Sequence, residues 1–248
     1  MVPSLLLAQS ETLPAHVFGN MSTGLYDATD EKWNWTGIGV FTATAASSYL
    51  VYRLADPLTN NPSNNPDMGE VSRWLTLVGR YTPYALPVTF FSVGQLLNKE
   101  NPSRRYTLET AEQLTEAIGF TMAATYTLKY SVGRERPDSS NSRSFPSGHA
   151  SMNFAAAGIL AYRYPWYVGL SSLLVGGAIS ASRVDLNRHY LSDVIAGAGI
   201  GFFFSSAVNY YHERIEKRHL AGKSREKVAT LVPFVAKDSY GLAWSQCF

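Results

Sequence analysis

Apolar positions recur at helical spacing in six segments of the chain, at about residues 36–54, 74–97, 109–131, 149–163, 166–181 and 190–214. The stretches DPLTNNPSNNPDMG and ENPSRR, which flank the second segment, are rich in Pro and Asn and predict loops. No internal repeat or interior linker divides the six segments. The pattern therefore predicts an all-α protein with one helical domain, residues 36–214, between an N-terminal segment, 1–35, and a basic linker and tail, 215–248.

Two smaller patterns refine this picture. Gly197 and Gly201 stand four residues apart in the last helix, a spacing that favours close helix packing. In the tail, larger side chains alternate with small ones from Tyr240 to Phe248, which is the period of a half-buried strand. We therefore predict a short C-terminal β-hairpin that packs on the helices.

Composition excludes some classes of function. The chain has 248 residues, 46% of them hydrophobic, which suffices for one domain with a sizeable core. Its net charge of +2 is too small to indicate a nucleic-acid partner. The single cysteine, Cys247, excludes an intramolecular disulfide. No spacing of His, Cys, Asp and Glu is typical of a metal site, so none is predicted.

The first of three polar clusters is KYSVGRERP, in which six residues separate Lys129 from Arg136. Pro137 disfavours helical geometry at Arg136, which places this guanidinium just past a helix end. There it can bind two phosphate oxygens at once, while Lys129 acts as a point charge from the last turn. The plain alternative is that helix C-termini attract cations, which alone would explain Lys129 and Arg134.

The second cluster is PSGH, where a loop rich in turn residues runs into an apolar helical segment. Ser147, Gly148 and His149 then lie at a helix N-terminus, where unpaired amide groups and the helix dipole attract anions. Ser147 adds a hydroxyl, and Gly148 lets the backbone approach a ligand closely. His149 can donate a proton to a departing alkoxide. The alternative is an ordinary Ser N-cap followed by an incidental His.

The third cluster is SRVDLNRHYLSD, in which His189 and Asp193 stand four residues apart and share a helix face. Asp193 can accept the Nδ1 proton of His189, which leaves Nε2 free to attack phosphorus. Arg183 lies one short loop upstream and can reach the same oxygens. The alternative is a helix-stabilising His and Asp pair. We interpret Arg188 and Asp185 as a solvated loop pair.

Lys-x6-Arg-Pro, Pro-Ser-Gly-His and Ser-Arg-x5-His-x3-Asp thus follow one another within residues 129–193, about a quarter of the chain. In this the chain resembles the type 2 phosphatidic acid phosphatases, whose superfamily also holds bacterial class A acid phosphatases and vanadium haloperoxidases. The resemblance implies a six-helix bundle and a metal-independent phosphatase without a cofactor. In it His189 would be the nucleophile that forms a phosphohistidine, Asp193 its orienting partner and His149 the general acid. The residues implied to bind the phosphoryl oxygens are Lys129, Arg136, Ser147, Gly148 and Arg183.

Such an enzyme would hydrolyse a phosphate monoester, either a membrane lipid phosphate or a small ester. Three alternatives stay open at this point. The first is an integral membrane lipid pyrophosphatase of the polyprenyl type, and the second is a vanadate-dependent haloperoxidase with the same pocket. The third is a noncatalytic helical protein in which the motifs are relics.

The sequence supports two interpretations of how the protein is located relative to a membrane. The uncharged runs 33–52, 81–98, 164–182 and 194–211 approach the roughly 20 apolar residues that span a bilayer, yet the mean hydropathy is only −0.09. The start VPSLLLAQSE resembles the end of a secretory signal, which favours an exported, periplasmic enzyme attached to the membrane. The alternative is an integral inner-membrane protein. In that case Lys99, Arg104, Arg105 and Arg163 put the active site on the periplasmic side.

Overall fold

The computed structural model describes residues 26–27, 32–56, 66–220, 229–236 and 239–246. All six predicted helices are present in it. They are α1 (Trp35–Leu54), α2 (Pro66–Leu96), α3 (Pro102–Val132), α4 (Gly148–Arg163), α5 (Trp166–Asp185) and α6 (Leu191–Leu220). Two short antiparallel strands of two residues each, β1 (Tyr26–Asp27) and β2 (Lys32–Trp33), precede α1.

The helix starts depart from the predictions at two prolines. The helices α2 and α3 begin at Pro66 and Pro102, inside the two segments predicted as loops. Asn101 caps α3 by accepting a hydrogen bond from the amide of Ser103 at 2.9 Å. Proline is favoured in the first helical turn because its missing N–H would lack a partner there anyway. The same residue type that ends a helix interior therefore starts these two helices.

The core lies between α3, α4 and α6. Its buried side chains are Leu114, Ala117, Ile118, Phe120, Ala155, Ala156, Ile159, Ile200, Phe204 and Val208. Close packing at Gly197 and Gly201 is confirmed, since a Cβ at Gly201 would lie 2.3 Å from the carbonyl oxygen of Ser151. A Cβ at Gly197 would lie 2.6 Å from the carbonyl oxygen of Ser147. The helices α4 and α6 therefore touch along their backbones.

The C-terminal strands β3 (Ala229–Ala236) and β4 (Ser239–Gln246) pair in an antiparallel hairpin, from Ala229 opposite Gln246 to Ala236 opposite Ser239. The predicted hairpin is thus present. Its side chains, and with them the predicted packing on the helices, lie outside the described residues. So does the signal-like segment VPSLLLAQSE.

Large apolar side chains cover much of the outer surface of the bundle. Along α2 they include Trp74, Leu77, Tyr81, Val88, Phe91 and Leu96, each at least half exposed. Among the described helices, α5 and the part of α6 from Leu191 to Ile215 are long and apolar enough to cross a membrane. The span in α6 is mostly buried inside the protein, whereas α5 leaves most of its apolar surface exposed. Exposed apolar surface on this scale marks a contact with lipid or with another protein.

Candidate active site

The three polar clusters meet at one end of the bundle. There α3 and α5 end and α4 and α6 begin, so four helix termini surround the same space. The amide of Ser147, before α4, donates to the carbonyl oxygen of Asp193 in α6 at 2.9 Å. The ammonium of Lys129, in the last turn of α3, donates to the carbonyl oxygen of Arg143 at 2.9 Å. The structure thus brings together residues that are up to 64 positions apart in the sequence.

His189 is almost fully buried, in the short turn between α5 and α6. The carbonyl oxygen of Arg183 accepts hydrogen bonds from the amides of Arg188 and His189, at 3.0 and 3.2 Å, and so closes this turn. Asn187 completes it in the left-handed region, with a φ of 57°, which asparagine tolerates better than most residues. Burial lowers the pKa of His189 to about 4, helped by the nearby charges of Lys129 and Arg183 and opposed by Asp193. The imidazole is therefore neutral at neutral pH, as a nucleophile requires.

Asp193 lies beside His189 but is not hydrogen-bonded to it. Its Oδ2 is 3.6 Å from Nδ1 of His189, which is beyond hydrogen-bond length, and this Nδ1 has no partner among the described residues. Oδ2 instead accepts hydrogen bonds from the hydroxyl of Ser144 and from the amide of Tyr190, the latter at 3.0 Å. Oδ1 accepts from Nη1 of Arg134 at 2.7 Å. The carboxylate is thus fixed by other donors within reach of the imidazole.

Three cations face the same space and repel one another: Lys129, Arg136 and Arg183. Lys129 is held by the loop before α4, through the carbonyl oxygens of Arg143 and Ser144. Arg183 is held by α2, since its Nη1 donates to the hydroxyl of Thr76 at 3.0 Å. The Nε atoms of Arg136 and Arg183 are buried without a hydrogen-bond partner among the described residues. Buried donors of this kind are costly unless an acceptor is supplied, and a phosphoryl group supplies several.

The N-terminus of α4 forms another wall of the site. Ser147 caps the helix, as its hydroxyl oxygen accepts from the amide of Ala150 at 3.4 Å. A Cβ on Gly148 would lie 3.7 Å from Cε of Lys129, which measures how close this helix start comes to the lysine. The first amides of a helix attract an anion. The predicted anion site at Ser147 and Gly148 therefore lies next to the side chain of Lys129.

His149 is the second residue of α4, and its Nε2 is buried without a partner among the described residues. Its carbonyl oxygen accepts from Nδ2 of Asn153 at 2.9 Å, and the same Nδ2 donates to the carbonyl oxygen of Gly79 at 2.7 Å. These bonds tie α4 to α2 at the level of the site. Arg183 and Arg80 are among the cations whose charges act on the imidazole.

Several neighbours of the site escaped the sequence prediction. Arg134, interpreted as a cation at a helix end, binds Asp193 and also Asp56, two residues after the end of α1, at 2.9 Å from Nη2. Its position inside the first cluster was a usable signal. Thr76 and Asp56 gave no such signal, because Thr76 is 107 residues from Arg183, and Asp56 is 78 residues from Arg134 and 136 from Ser192.

The predicted pair of Arg188 and Asp185 is wrong. Arg188 donates to Oδ2 of Asp138 at 2.7 Å, and Asp185 accepts from the hydroxyl of Ser72 at 2.6 Å. Arg188 and Asp185 lie on different sides of the turn between α5 and α6, so each finds a partner on the element it faces. The ion pair of Arg188 and Asp138 links this turn to the loop after Arg136.

A cluster of groups that could hold a metal ion lies elsewhere in the described part of the chain. The ligand atoms of Glu112, Glu116 and His212 are within 4.8 Å of one another, with Nε2 of His212 at 3.0 Å from Oε2 of Glu116. The members sit on α3 and α6, several turns from Lys129 and Asp193. This group therefore takes no part in the site described above.

Comparison with known proteins supports the resemblance seen in the motifs. Residues 112–217 match the family described as the PAP2 superfamily, that of the type 2 phosphatidic acid phosphatases. The match takes in all three motif clusters, and it ends within α6. The resemblance carried by the three motifs is thereby confirmed.

Two curated relatives match part of the chain. One is a lipid A 1-phosphatase of Porphyromonas gingivalis, 42% identical over 77 residues, and the other is a lipid A 4'-phosphatase of Helicobacter pylori, 35% identical over 71 residues. Each match covers 29% of this chain, but only 17% of the first relative and 36% of the second.

Among solved structures, the fold is similar to that of a transmembrane PAP2 type phosphatidylglycerolphosphate phosphatase from Bacillus subtilis. The TM-score is 0.61 over 73% of this chain and 98% of that one, at 20% sequence identity. The likeness extends over nearly the whole of the Bacillus subtilis chain. It confirms the all-α fold predicted for this protein.

Proposed function

We propose that this PAP2 protein is a metal-independent phosphatase that hydrolyses a lipid phosphate monoester through a phosphohistidine at His189. The observation that carries the proposal is the burial of a neutral His189 beside Asp193, at the end of the bundle where Lys129, Arg136, Arg183 and the N-terminus of α4 meet. A phosphoryl group needs such a set of donors around its oxygens and a nucleophile in line with the leaving group.

The first step transfers the phosphoryl group to the protein. Because Asp193 lies at Nδ1, we assign the attack to Nε2 of His189, whose lone pair forms the bond to phosphorus. The bond between phosphorus and the ester oxygen breaks, and its electron pair stays on that oxygen, which takes the proton of His149. Lys129, Arg136 and Arg183 stabilise the charge on the three equatorial oxygens, as oriented donors in comparable sites do by about 2.7–4 kcal/mol each.

The second step returns the protein to its starting state. Now neutral, His149 takes a proton from a water molecule whose oxygen attacks phosphorus. The bond between phosphorus and Nε2 breaks, its electron pair returns to His189, and inorganic phosphate leaves. The negative charge of a bound phosphoryl group favours a proton on His149 at the start of each cycle.

A lipid is the preferred substrate class for two reasons. The exposed apolar side chains of α2 and α5 cover the flanks of the bundle, and the site lies at one end of it, at the level expected for a lipid headgroup. The relatives and the similar structure are named for lipid A and for phosphatidylglycerolphosphate, both lipid phosphates.

We propose further that the helices lie in a membrane with the active site on the periplasmic side. Arg104 and Arg105 begin α3 and Arg163 ends α4, so these cations collect at the end of the bundle opposite His189. Lys and Arg are enriched on the cytoplasmic side of membrane proteins. For an integral protein, this arrangement favours an active site on the periplasmic side.

The test is phosphate release from a long-chain lipid phosphate and from a soluble aryl phosphate, in detergent and with excess EDTA. We expect turnover of the lipid, loss of at least 1000-fold in His189→Ala, and an alkali-stable, acid-labile phosphoprotein in His149→Ala. A protein that needs no detergent and prefers the soluble ester would contradict both the proposed lipid substrate and the proposed membrane location. Retained turnover in His189→Ala would contradict the mechanism.

A further inference from the structure

Arg134 is set apart from the other cations of the site by what it binds. It lies only two residues before Arg136, yet it contacts carboxylates and a hydroxyl. Its Nη1 donates to Oδ1 of Asp193 and to the hydroxyl of Ser192, both at 2.7 Å. The guanidinium stacks over the ring of Tyr190, 3.8 Å from the centroid, and its side chain is only 17% exposed.

The other side of this guanidinium is held by Asp56, two residues after the end of α1. Asp56 is buried, and its Oδ2 accepts from Nη2 of Arg134 at 2.9 Å. Its carboxylate also accepts from the amide of Ser192 at 3.1 Å and from the hydroxyl of Ser192. The hydroxyl of Ser48 in α1 donates to the carbonyl oxygen of Ser192 at 2.9 Å. The end of α1 is therefore bound to the first turn of α6, next to Asp193.

We propose that Arg134, held in place by Asp56, is a positioning residue that fixes the Asp193 carboxylate beside Nδ1 of His189. This inference rests on the proposed phosphatase mechanism, in which Asp193 orients the imidazole. It adds α1, which carries none of the three motifs, to the elements on which the reaction depends.

The geometry of the contacts supports this role. Asp193 is completely buried, so its charge needs donors, and removing one partner of a buried ion pair leaves an uncompensated charge. Oδ2 of Asp193 is the oxygen 3.6 Å from His189, and Arg134 binds the other oxygen. The arginine therefore holds one carboxylate oxygen and turns the second towards the imidazole.

The choice of arginine follows from the same distances. Two nitrogens of one planar guanidinium reach two carboxylates at 2.7 and 2.9 Å, and the fork keeps these carboxylates at a fixed separation. A lysine offers one nitrogen and cannot reproduce that spacing. Arg134→Lys should therefore keep the charge and lose the alignment.

The experiment compares four purified full-length variants with the wild type: Asp56→Asn, Arg134→Lys, Arg134→Gln and the control Arg105→Gln. Arg105 forms an exposed ion pair with Glu109 at the opposite end of the bundle. The readouts are kcat and KM on a lipid phosphate, the inhibition constant of inorganic vanadate, and the thermal midpoint in detergent.

We expect kcat to fall at least 10-fold in Asp56→Asn and Arg134→Lys and at least 100-fold in Arg134→Gln. The KM and the vanadate inhibition constant should stay within about 3-fold of the wild type, because the proposed phosphate ligands are untouched. The control should equal the wild type. An unchanged kcat, or a loss of activity matched by a loss of folded protein at the assay temperature, would overturn the inference.

Imidazole ¹⁵N spectra of protein labelled at histidine give a readout that does not need turnover. The signal of His189, identified by its loss in His189→Gln, should report a proton on Nδ1 in the wild type and a mixture of tautomers in Asp56→Asn and Arg134→Gln. Identical His189 signals in all variants would contradict the positioning role of Arg134. A wild type without phosphatase activity that nonetheless shows the tautomer change would overturn the proposed function and leave this inference standing.

Discussion

The amide of Ser147 donates to the carbonyl oxygen of Asp193 at 2.9 Å, and this bond joins the start of α4 to the first turn of α6. It forms because Gly197 and Gly201 let the two helices approach without side chains between them. The anion site at the start of α4 and the carboxylate beside His189 are therefore parts of one rigid contact.

Replacing these glycines should damage that contact. In Gly201→Ala the new Cβ would lie 2.3 Å from the carbonyl oxygen of Ser151 and 2.7 Å from the amide nitrogen of Ala155. Overpacking of this kind costs roughly 1–3 kcal/mol, more than the gain of about 0.5–1 kcal/mol from alanine in a helix. We expect a lower thermal midpoint in detergent.

Gly197→Ala should also reduce activity, since its Cβ would press on the carbonyl oxygen of Ser147 at 2.6 Å. Gly119→Ala is the matched control, because nothing lies within 4 Å of the added carbon on the exposed face of α3. The control should keep full activity and an equal or higher thermal midpoint. A Gly197→Ala protein that behaves like the control would contradict the close contact.

The stability of the protein should depend on pH through His189. Its folded pKa of about 4 lies below the value near 6.5 of an unfolded histidine. Between these values the unfolded chain binds a proton that the folded protein does not, so the free energy of unfolding falls as the pH falls. The slope from this group is at most about 1.4 kcal/mol per pH unit.

His189→Gln removes this titration, so its thermal midpoint should fall less steeply between pH 6.5 and 4.5 than that of the wild type. Both proteins are to be melted in the same detergent at each pH. Parallel curves would mean that His189 is protonated to the same extent in the folded and unfolded states.

Thr76 should affect phosphate binding through its hydrogen bond to Arg183. Its hydroxyl accepts from Nη1 of the nearly buried arginine at 3.0 Å, and an unmet hydrogen bond at a buried charge costs on the order of 1–3 kcal/mol. We expect Thr76→Val to raise KM and the vanadate inhibition constant about 5- to 50-fold. Thr76→Ser keeps the acceptor and should stay close to the wild type, and equal effects of Val and Ser would point to packing instead.

Arg188 and Asp138 form an ion pair at the rim of the site, with the arginine side chain 47% exposed. Exposed pairs contribute about 0–1 kcal/mol to stability, so neither Arg188→Gln nor Asp138→Asn should change the thermal midpoint by much. Arg188 adds to the positive field that attracts an anionic substrate. We therefore expect a higher KM in Arg188→Gln and an equal or lower KM in Asp138→Asn, with both differences shrinking at high salt. A higher KM in both variants would assign the pair a structural role.

The parts of the site that follow local rules could be predicted from the sequence. Helix ends, the spacing of four between His189 and Asp193, and the capping serine are all set by residues a few positions apart. The six helices were likewise visible from periodicity, except where Pro66 and Pro102 start a helix within an apparent loop. Whether these side chains carry out the assigned chemistry stays a prediction.

Long-range contacts could not be predicted in the same way. Asp56 meets Ser192 from 136 residues away and Thr76 meets Arg183 from 107, and such contacts depend on how whole helices pack. The sequence pattern also paired Arg188 with the wrong carboxylate, because proximity in the sequence does not record the direction of a side chain in a turn. The orientation of Asp193 towards Arg134 was missed for the same reason.

Because α4 and α6 meet backbone to backbone, their contact has no side-chain rotamers that could readjust to a new ligand. The groups fixed by this contact should therefore present the same geometry to every phosphate that enters. If the proposed lipid phosphatase activity holds, α2 is the element suited to adapt to different lipid bodies, because it reaches the site through Thr76 and carries a broad apolar outer face. Exchanging α2 for the corresponding helix of a similar phosphatase is thus a rational route to changing which lipid is accepted while the reaction itself is left as it is.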